Sequence, residues 1–421
     1  KYDRAFNADW DEYKQLRTFI GDRYNGFIDL LKEKYHIEIP ENLQGDYPQP
    51  SDLGLFIADK YGLSKDKDED YNRLYGMRFL AKIGKDLKVY SPYGGKGLQA
   101  YNGHTTVFKG DAVHEIYFDS ANYNYLNYVG MEGNGQMLLT GETTGFTLSS
   151  DVTFANKSTI SGDRALTLNA HTLTVDGDFT QDGALTVDVS GSTLEMSGTY
   201  YQPDGVLRIG TGEAHIAGNY EEQYQDETYG NGDLNMYSGG GLLDVNGDVI
   251  INTRAEANHQ ALGTLVIGGN LSVSAPYGGK GYRNCNGHAT EFKGGKAHTV
   301  DFADKESYFN IIRLGIGDSL EFKGALSGIT RGENPVITAT PVDIASVSGM
   351  TVTGVKNGEG RITFSNGSDN ISKTLIIGDT VKIDEPIVIP PVKPTIPEVT
   401  LLGDVNQDGN FGVIDIILMQ K

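Results

Sequence analysis

The feature that most constrains the fold is a three-residue motif that recurs along the middle of the chain. Each copy is a glycine, then a polar residue, then an apolar or aromatic residue. The five copies are Gly177-Asp178-Phe179, Gly198-Thr199-Tyr200, Gly218-Asn219-Tyr220, Gly247-Asp248-Val249 and Gly269-Asn270-Leu271. Their glycines are separated by 21, 20, 29 and 22 residues, which is the length of one solenoid coil. The longest interval predicts an insertion in one coil, at residues 221–230.

Between the motifs, apolar and polar side chains alternate, as at Leu185, Val187 and Val189. Alternation places every second side chain on the same face of a strand. Because one coil cannot bury its inward face alone, neighbouring coils must stack, and the two ends of the stack need caps. We therefore predict a mainly β fold with a right-handed parallel β-helix over residues 81–315.

Two stretches that are 184 residues apart have closely similar sequences. Asn102-Gly103-His104 returns as Asn286-Gly287-His288, and Phe108-Lys109-Gly110 returns as Phe292-Lys293-Gly294. These stretches, residues 83–130 and 267–315, resemble the β-helix repeats of bacterial surface proteins. The paired histidines are His104, His288, His114 and His298. A metal site is one interpretation, but without an accompanying cysteine or carboxylate cluster we favour packing or hydrogen bonds at turns.

Residues 1–80 follow a different pattern from the rest of the chain. Apolar side chains recur there at three- and four-residue spacing, at Trp10, Tyr13, Leu16, Phe19, Ile20, Tyr24, Phe27, Leu30 and Leu31. This spacing is typical of an amphipathic helix, and Pro40 would end it. We predict a helical cap or docking region.

Three segments follow the predicted β-helix. Val352-Thr353-Gly354 and Arg361-Ile362-Thr363-Phe364 look similar to the closing strands of a bacterial group-2 Ig-like domain. This resemblance implies a small β-sandwich at residues 316–383. Residues 384–401 are rich in proline and predict an extended, semi-rigid linker. Residues 402–421 contain a loop that is rich in Asp, Asn and Gly.

The loop that begins at Asp404 has the ligand spacing of a twelve-residue calcium loop. Side-chain oxygens fall at positions 1, 3, 5 and 12 as Asp404, Asn406, Asp408 and Asp415. Gly409 permits the sharp turn at position 6, and Asn410 offers its carbonyl oxygen at position 7. Because calcium prefers such oxygen ligands, the sequence predicts a Ca²⁺ site.

This loop resembles the first calcium repeat of a type I dockerin, which has Asp at position 12 and no helix before the loop. The resemblance implies that Val413, Ile414, Ile417 and Leu418 contact a cohesin domain of a scaffoldin or surface protein. Dockerins use two such repeats and this sequence shows one. Either a second repeat belongs beyond Lys421, or the half module is used in another way, for example to bind another copy of the chain.

Composition excludes other classes of partner. The net charge is −21, and nucleic acids or anionic membranes require a basic surface that this chain lacks. The single cysteine, Cys285, cannot close a disulfide within the chain. The sequence contains no run of about eighteen apolar residues, the length that a membrane-spanning helix requires. Together with the resemblances, these features lead us to expect an extracellular or cell-surface bacterial protein.

Two observations bear on polysaccharides. Enzymes with a parallel β-helix need clustered Asp with basic residues, whereas the acidic positions Asp176, Asp178, Asp182, Asp188 and Asp204 lie at turns that account for them. The tyrosines Tyr123, Tyr125, Tyr128, Tyr200, Tyr201, Tyr220 and Tyr224 form either sugar platforms or a ladder along the coils, and we favour the ladder.

From these patterns we predict a non-catalytic, secreted surface or cellulosome-associated protein with a structural or adhesive role. It would attach through the calcium-dependent module. A polysaccharide-binding or polysaccharide-degrading cellulosomal component is one alternative, and a self-assembling extracellular filament subunit is another.

Overall fold

The computed structural model describes residues 80–90, 98–100, 103–226, 229–254, 259–275 and 281–378. The chain divides into two units, Lys1–Arg78 and Phe79–Lys421, and every described residue belongs to the second. Within these ranges there is no helix, and so none that is long and apolar enough to cross a membrane. The predicted N-terminal helices lie outside the described residues, except that Leu80 begins a strand.

The described residues form 34 strands. The first seventeen are Leu80–Ile83 (β1), Leu87–Val89 (β2), Thr105–Lys109 (β3), Val113–Phe118 (β4), Tyr128–Glu132 (β5), Gln136–Gly141 (β6), Thr147–Leu148 (β7), Val152–Ala155 (β8), Ser158–Ile160 (β9), Leu166–Thr167 (β10), Thr172–Asp176 (β11), Phe179–Gln181 (β12), Thr186–Asp188 (β13), Thr193–Met196 (β14), Tyr200–Tyr201 (β15), Val206–Arg208 (β16) and Glu213–Ile216 (β17).

The remaining strands are Tyr220–Glu222 (β18), Asp233–Asn235 (β19), Leu242–Val245 (β20), Val249–Asn252 (β21), His259–Gln260 (β22), Thr264–Ile267 (β23), Leu271–Ser274 (β24), Arg283–Asn284 (β25), Ala289–Phe292 (β26), Ala297–Phe302 (β27), Ile311–Gly315 (β28), Ser319–Phe322 (β29), Val336–Thr340 (β30), Ala345–Ser348 (β31), Thr351–Gly354 (β32), Gly358–Ser365 (β33) and Asn370–Gly378 (β34).

Successive coils stack these strands into three long sheets, which form a parallel β-solenoid of about ten turns. Sheet A runs β1-β3-β5-β7-β10-β13-β16-β19, and the short pair β22-β25 lies beyond its end. Sheet B runs β2-β4-β6-β8-β11-β14-β17-β20-β23-β26-β28-β34-β33-β30. Sheet C runs β9-β12-β15-β18-β21-β24-β27-β29-β32-β31. The predicted parallel solenoid is confirmed.

The recurring glycine motif forms the corner between sheets B and C. In sheet B, Thr172 pairs with Thr193, Thr193 with Glu213, Glu213 with Leu242, and Leu242 with Thr264. These register steps reproduce the intervals seen in the sequence, including the long one, whose additional residues follow β18. The coil length and the position of the insertion were therefore predicted correctly.

At this corner the coils bond to each other through the polar residue of the motif. The Asp178 carboxylate accepts a hydrogen bond from the Thr199 backbone N–H at 2.8 Å. Asn219 accepts one from the Asp248 N–H at 2.9 Å, and Asp248 one from the Asn270 N–H at 2.7 Å. Each side chain thus satisfies a main-chain donor in the next coil, which is why a polar residue recurs after the glycine.

The two copies of the 184-residue repeat make the same local corner between different sheets. In the first copy, β3 lies in sheet A and β4 in sheet B, whereas the equivalent β26 and β27 lie in sheets B and C. Gly110 and Gly294 turn the corner with φ of 103° and 106°. The Phe108–His114 and Phe292–His298 ring centroids are 5.5 and 5.4 Å apart. The repeat therefore encodes a corner, and its place around the axis depends on the coils before it.

Residues 316–378 continue the solenoid and close its C-terminal end. Strand β34 pairs in parallel with β28 of the last coil, and β32 pairs antiparallel with β29. The Phe322 and Phe364 rings pack with centroids 4.8 Å apart, so a single core runs from the coils into the closing strands. The structure supports no separate Ig-like sandwich in this segment. The strands were predicted correctly, but β32 bonds to β29 of the last coil, and β33 joins the last coil through β34.

Candidate functional site

The inserted segment folds onto the outer face of sheet C. It leaves the coil after β18, and Gln223 and Tyr229 form an antiparallel bridge at its base. The Arg254 guanidinium lies over the Tyr229 ring, 4.1 Å from the centroid. Further out, Gln225 Nε2 donates a hydrogen bond to Thr180 Oγ1 at 3.3 Å. These contacts hold Tyr224, Gln225 and Asp226 above the sheet.

A groove with a volume of about 430 Å³ lies between this segment and the sheet. That volume is in the range of small-ligand sites in proteins. Its lining consists of Thr159, Thr180, Asp182, Pro203, Tyr224, Gln225 and Asp226. Hydroxyl, amide and carboxylate groups therefore line an open groove together with one aromatic side chain.

The floor of the groove is rigid because it belongs to regular strands. Thr159 and Thr180 of the lining are aligned in consecutive strands of sheet C, and Tyr201 continues the same row beside the groove. Neighbouring strands are about 4.8 Å apart, so this row offers polar groups at regular steps along the solenoid axis. A rigid row of this kind loses little conformational entropy when it binds a ligand whose polar groups recur at regular steps.

Beneath the floor, aromatic side chains stack inside the solenoid. The ring centroids of Phe154, Phe179, Tyr200 and Tyr220 follow one another at 5.9, 5.4 and 5.9 Å. The Tyr200 hydroxyl donates to Gln181 Oε1 at 2.7 Å, and the Tyr220 hydroxyl donates to Gln202 Oε1 at 2.6 Å. Burial raises the pKa of both tyrosines well above the usual value. The predicted tyrosine ladder is confirmed for these two residues.

Tyr224 is not part of this ladder and fits the alternative prediction, an aromatic platform for sugars. Its side chain is 39% exposed at the wall of the groove. Burial raises its pKa, and the charges of Asp182, Asp204 and Asp226 raise it further. One tyrosine of the predicted set therefore has the setting of a sugar-binding platform, because it offers a ring face beside hydrogen-bonding groups.

The electrostatic field of the groove is negative. Asp178, Asp188 and Asp204 accept hydrogen bonds from nearby backbone N–H groups, as predicted for turn residues. Asp182 differs: within the described part of the chain its carboxylate has no hydrogen bond or ion pair. Desolvation raises the pKa of Asp182, and the neighbouring Asp204 carboxylate raises it further. From the sequence, Asp182 was interpreted as an ordinary turn residue. The inserted segment that makes it part of a groove was detectable only as the 29-residue interval between two motif glycines.

A second charged group lies on the outer face of sheet B. Lys293 is fully buried and its ammonium group pairs with Asp244, which is 4% exposed. His215 lies 3.8 Å from Asp244 and 3.7 Å from Glu213. The Asp244 carboxylate raises the pKa of His215. Burial alone would raise the pKa of Asp244, but contacts with His215 and Lys293 lower it overall. The ion pair links different coils of the solenoid, since Lys293 and Asp244 are 49 residues apart.

The repeated histidines bond to the main chain of the preceding coil. His114 Nδ1 lies 3.0 Å from the Lys85 carbonyl oxygen, and His298 and His288 contact the carbonyls of Gly269 and Leu262 at 2.6 and 3.0 Å. The expectation of turn hydrogen bonds is confirmed for these three. Among the described residues, no three His, Cys, Asp or Glu side chains are close enough together to hold a metal ion.

The predicted calcium and partner residues lie outside the described residues. They are Asp404, Asn406, Asp408, Asn410 and Asp415 for calcium and Val413, Ile414, Ile417 and Leu418 for the partner. Their roles stay predictions based on sequence.

Comparison with known proteins adds no relative. No family model, curated protein or solved structure matches the chain. Function is therefore inferred from the groove and from the sequence motifs.

Proposed function

We propose that this chain is a non-catalytic extracellular bacterial protein whose solenoid binds polysaccharide in the groove under the inserted segment. One observation carries the proposal: an exposed aromatic side chain, Tyr224, lines an open groove together with hydroxyl, amide and carboxylate groups of a rigid sheet and of the inserted segment. Sugars bind through ring faces packed on aromatic side chains and through hydrogen bonds to polar groups of this kind. Such binding gives a surface or cellulosome-associated component an adhesive role.

Attachment through the C-terminal calcium loop is the second part of the proposal. The complete ligand spacing from Asp404 to Asp415 and the proline-rich segment before it support a calcium-dependent module that binds a cohesin or another copy of the chain. Calcium titration of the full chain tests this part. Asp404→Ala together with Asp408→Ala should abolish high-affinity binding, and an unchanged isotherm would contradict it.

The groove is tested by affinity electrophoresis and pull-down with cellulose, xylan, mannan, pectin, chitin and chitosan. We expect retention on at least one of them, and Tyr224→Ala should weaken it by about tenfold because a stacked ring is lost. Tyr123→Ala is the matched control, since Tyr123 is 38% exposed elsewhere on the solenoid. Retention that Tyr224→Ala leaves intact, or no retention on any polymer, would overturn the groove as the binding site.

Polysaccharide cleavage is the second candidate, because Asp182 has a raised pKa beside Asp204. A protonated and an ionised carboxyl group together perform glycoside hydrolysis in many enzymes. Release of reducing ends by the parent protein that Asp182→Asn abolishes would favour this candidate. Binding without release favours the non-catalytic role.

A further inference from the structure

The charge distribution around the groove restricts the class of saccharide that it accepts. Asp182 and Asp226 line the groove, and Asp204 acts on both Asp182 and Tyr224. None of the lining residues is Lys, Arg or His. Each charge that shifts the ionisation of Tyr224 is negative. The charged side chains that line the groove, Asp182 and Asp226, would therefore both present a negative charge to a bound ligand.

An acidic polysaccharide does not fit this field. A uronic acid would bring its carboxylate next to the exposed carboxylates of Asp182 and Asp226, and like charges at close range repel each other. The net charge of −21 adds repulsion at longer range. Pectin and other uronides are thus disfavoured, although many parallel β-helix enzymes act on them.

A small inorganic cation does not fit the carboxylates either. Calcium needs several oxygen ligands that converge at about 2.4 Å from one point. Within the described ranges no three acidic or histidine side chains converge in this way. The carboxylates are instead distributed around a groove of about 430 Å³, which suits a cation that is part of a larger molecule.

The remaining lining groups suit a sugar that carries an amine. The Tyr224 ring can pack against a pyranose face and attract an ammonium group through its π electrons. Thr159 and Thr180 offer hydroxyl groups for ring hydroxyls, and Asp182 offers a carboxylate acceptor that has no partner within the described residues. An ammonium group that donates to a carboxylate forms a charge-assisted hydrogen bond, the stronger kind.

We propose that the groove selects amine-bearing saccharides of the glucosamine type over their N-acetylated and neutral counterparts. This inference rests on the proposed function, since it names the ligand class of the same groove. A lysine-rich peptide would satisfy the charge but would leave the hydroxyl row and the ring face without matching groups.

The test compares two ligands that differ only at the amine. Isothermal titration of the full chain is performed with a glucosamine tetramer and with an N-acetylglucosamine tetramer at about pH 6, where the free amines are protonated. We expect the glucosamine tetramer to bind at least about tenfold more tightly and to lose affinity as salt is added. Asp182→Asn should remove most of this preference and leave the thermal unfolding midpoint unchanged.

Asp301→Asn is the matched control. Asp301 is exposed on the outer face of sheet C, five strands along the register from Thr180. Five strand spacings amount to about 24 Å, so this variant should keep the preference of the parent protein.

Two outcomes would overturn the inference. The first is equal affinity for both tetramers; if Tyr224→Ala still weakens binding, polysaccharide binding in the groove survives and only the amine preference fails. The second is competition by tetralysine that matches the glucosamine tetramer and is insensitive to Tyr224→Ala, which would show binding of any cation and would remove the sugar site as well.

Discussion

At the scale of single residues, the coils are joined by buried polar side chains that bond to main-chain groups of the neighbouring coil. His288 is fully buried and contacts the Leu262 carbonyl through Nδ1. Gln181 Nε2 donates to the Val206 carbonyl of the next coil at 3.2 Å. Such groups stabilise the stack only in one protonation state and one geometry. This dependence makes some of them sensitive to pH.

Stability should fall on mild acidification because of His288. Desolvation lowers its pKa to about 4, whereas an unfolded histidine has a pKa of about 6.5. As the pH falls from 6.5 towards 4, the unfolded state therefore binds more protons than the folded state. The free energy of unfolding decreases by up to about 3 kcal/mol over that range. His288→Asn retains a donor for the Leu262 carbonyl and cannot titrate, so its urea midpoint should fall less between pH 7 and pH 5 than that of the parent protein.

His215 provides a control of opposite sign. Asp244 raises its pKa, so its stabilising contribution is complete below the unfolded pKa and is lost as the pH rises through the folded pKa. In the His215→Asn variant, the urea midpoint should therefore fall more steeply between pH 7 and pH 5 than in the parent protein. If both variants change the pH dependence in the same direction, these assignments are wrong.

The same residues show what sequence reasoning could predict at this scale. His104 and His114 recur in the second copy of the repeat, and this indicated a structural role. A side chain that is present in both copies is expected to serve the fold that the copies share. Tyr200 and Tyr220 were predicted to stack since they occupy the same place in consecutive motifs. Asp182 and Tyr224 were not assigned to a common site, because 42 residues separate them and only the inserted segment brings them to one groove.

At the scale of elements, the corner between sheets B and C shows why the motif begins with glycine. A Cβ atom on Gly198 would lie 2.2 Å from the carbonyl carbon of Gly177 and 2.6 Å from the Asp178 backbone nitrogen. Main-chain atoms cannot move away without breaking the hydrogen bonds of the corner. The glycines therefore stack because consecutive corners approach too closely for any side chain.

Gly198→Ala should destabilise the solenoid by about 1–3 kcal/mol, the usual cost of overpacking. Its control is Gly240→Ala, because no atom lies within 4 Å of a Cβ built there and its φ is not positive. That change should be neutral or slightly stabilising. Chemical denaturation at neutral pH measures both, and equal midpoints for the two variants would contradict the close approach at Gly198.

At the scale of the whole molecule, the closing strands β30–β34 are part of one continuous core with the coils. Sheet B passes from parallel pairing at β28-β34 to antiparallel pairing at β34-β33. A solenoid whose last coil were left open would expose an edge that promotes association, and these strands occupy that edge. End-to-end filament assembly stays a hypothesis for the intact chain.

Phe364→Ala distinguishes a continuous cap from an independent domain. Loss of this ring should cost about 3–5 kcal/mol, and the loss should reach the amides of β28 and β29 because stability passes between neighbouring repeats. Hydrogen exchange of those amides measures the effect. Val342→Ala is the control, since Val342 is 83% exposed. Unchanged protection in β28 and β29 would indicate a separate domain.

The amino-acid sequence was sufficient to predict the coil length, the corner motif, the site of the insertion and the strands near the C-terminus. It could do so because each depends on residues within one or two coils. The three-dimensional structure was needed to show that the repeated corner joins sheets A and B in one copy and sheets B and C in the other, and that the last strands join the coils. The three-dimensional structure also brings Tyr224, Thr180 and Asp182 into one groove. Contacts between coils depend on how far each preceding coil turns around the solenoid axis, and a local sequence pattern does not contain that information.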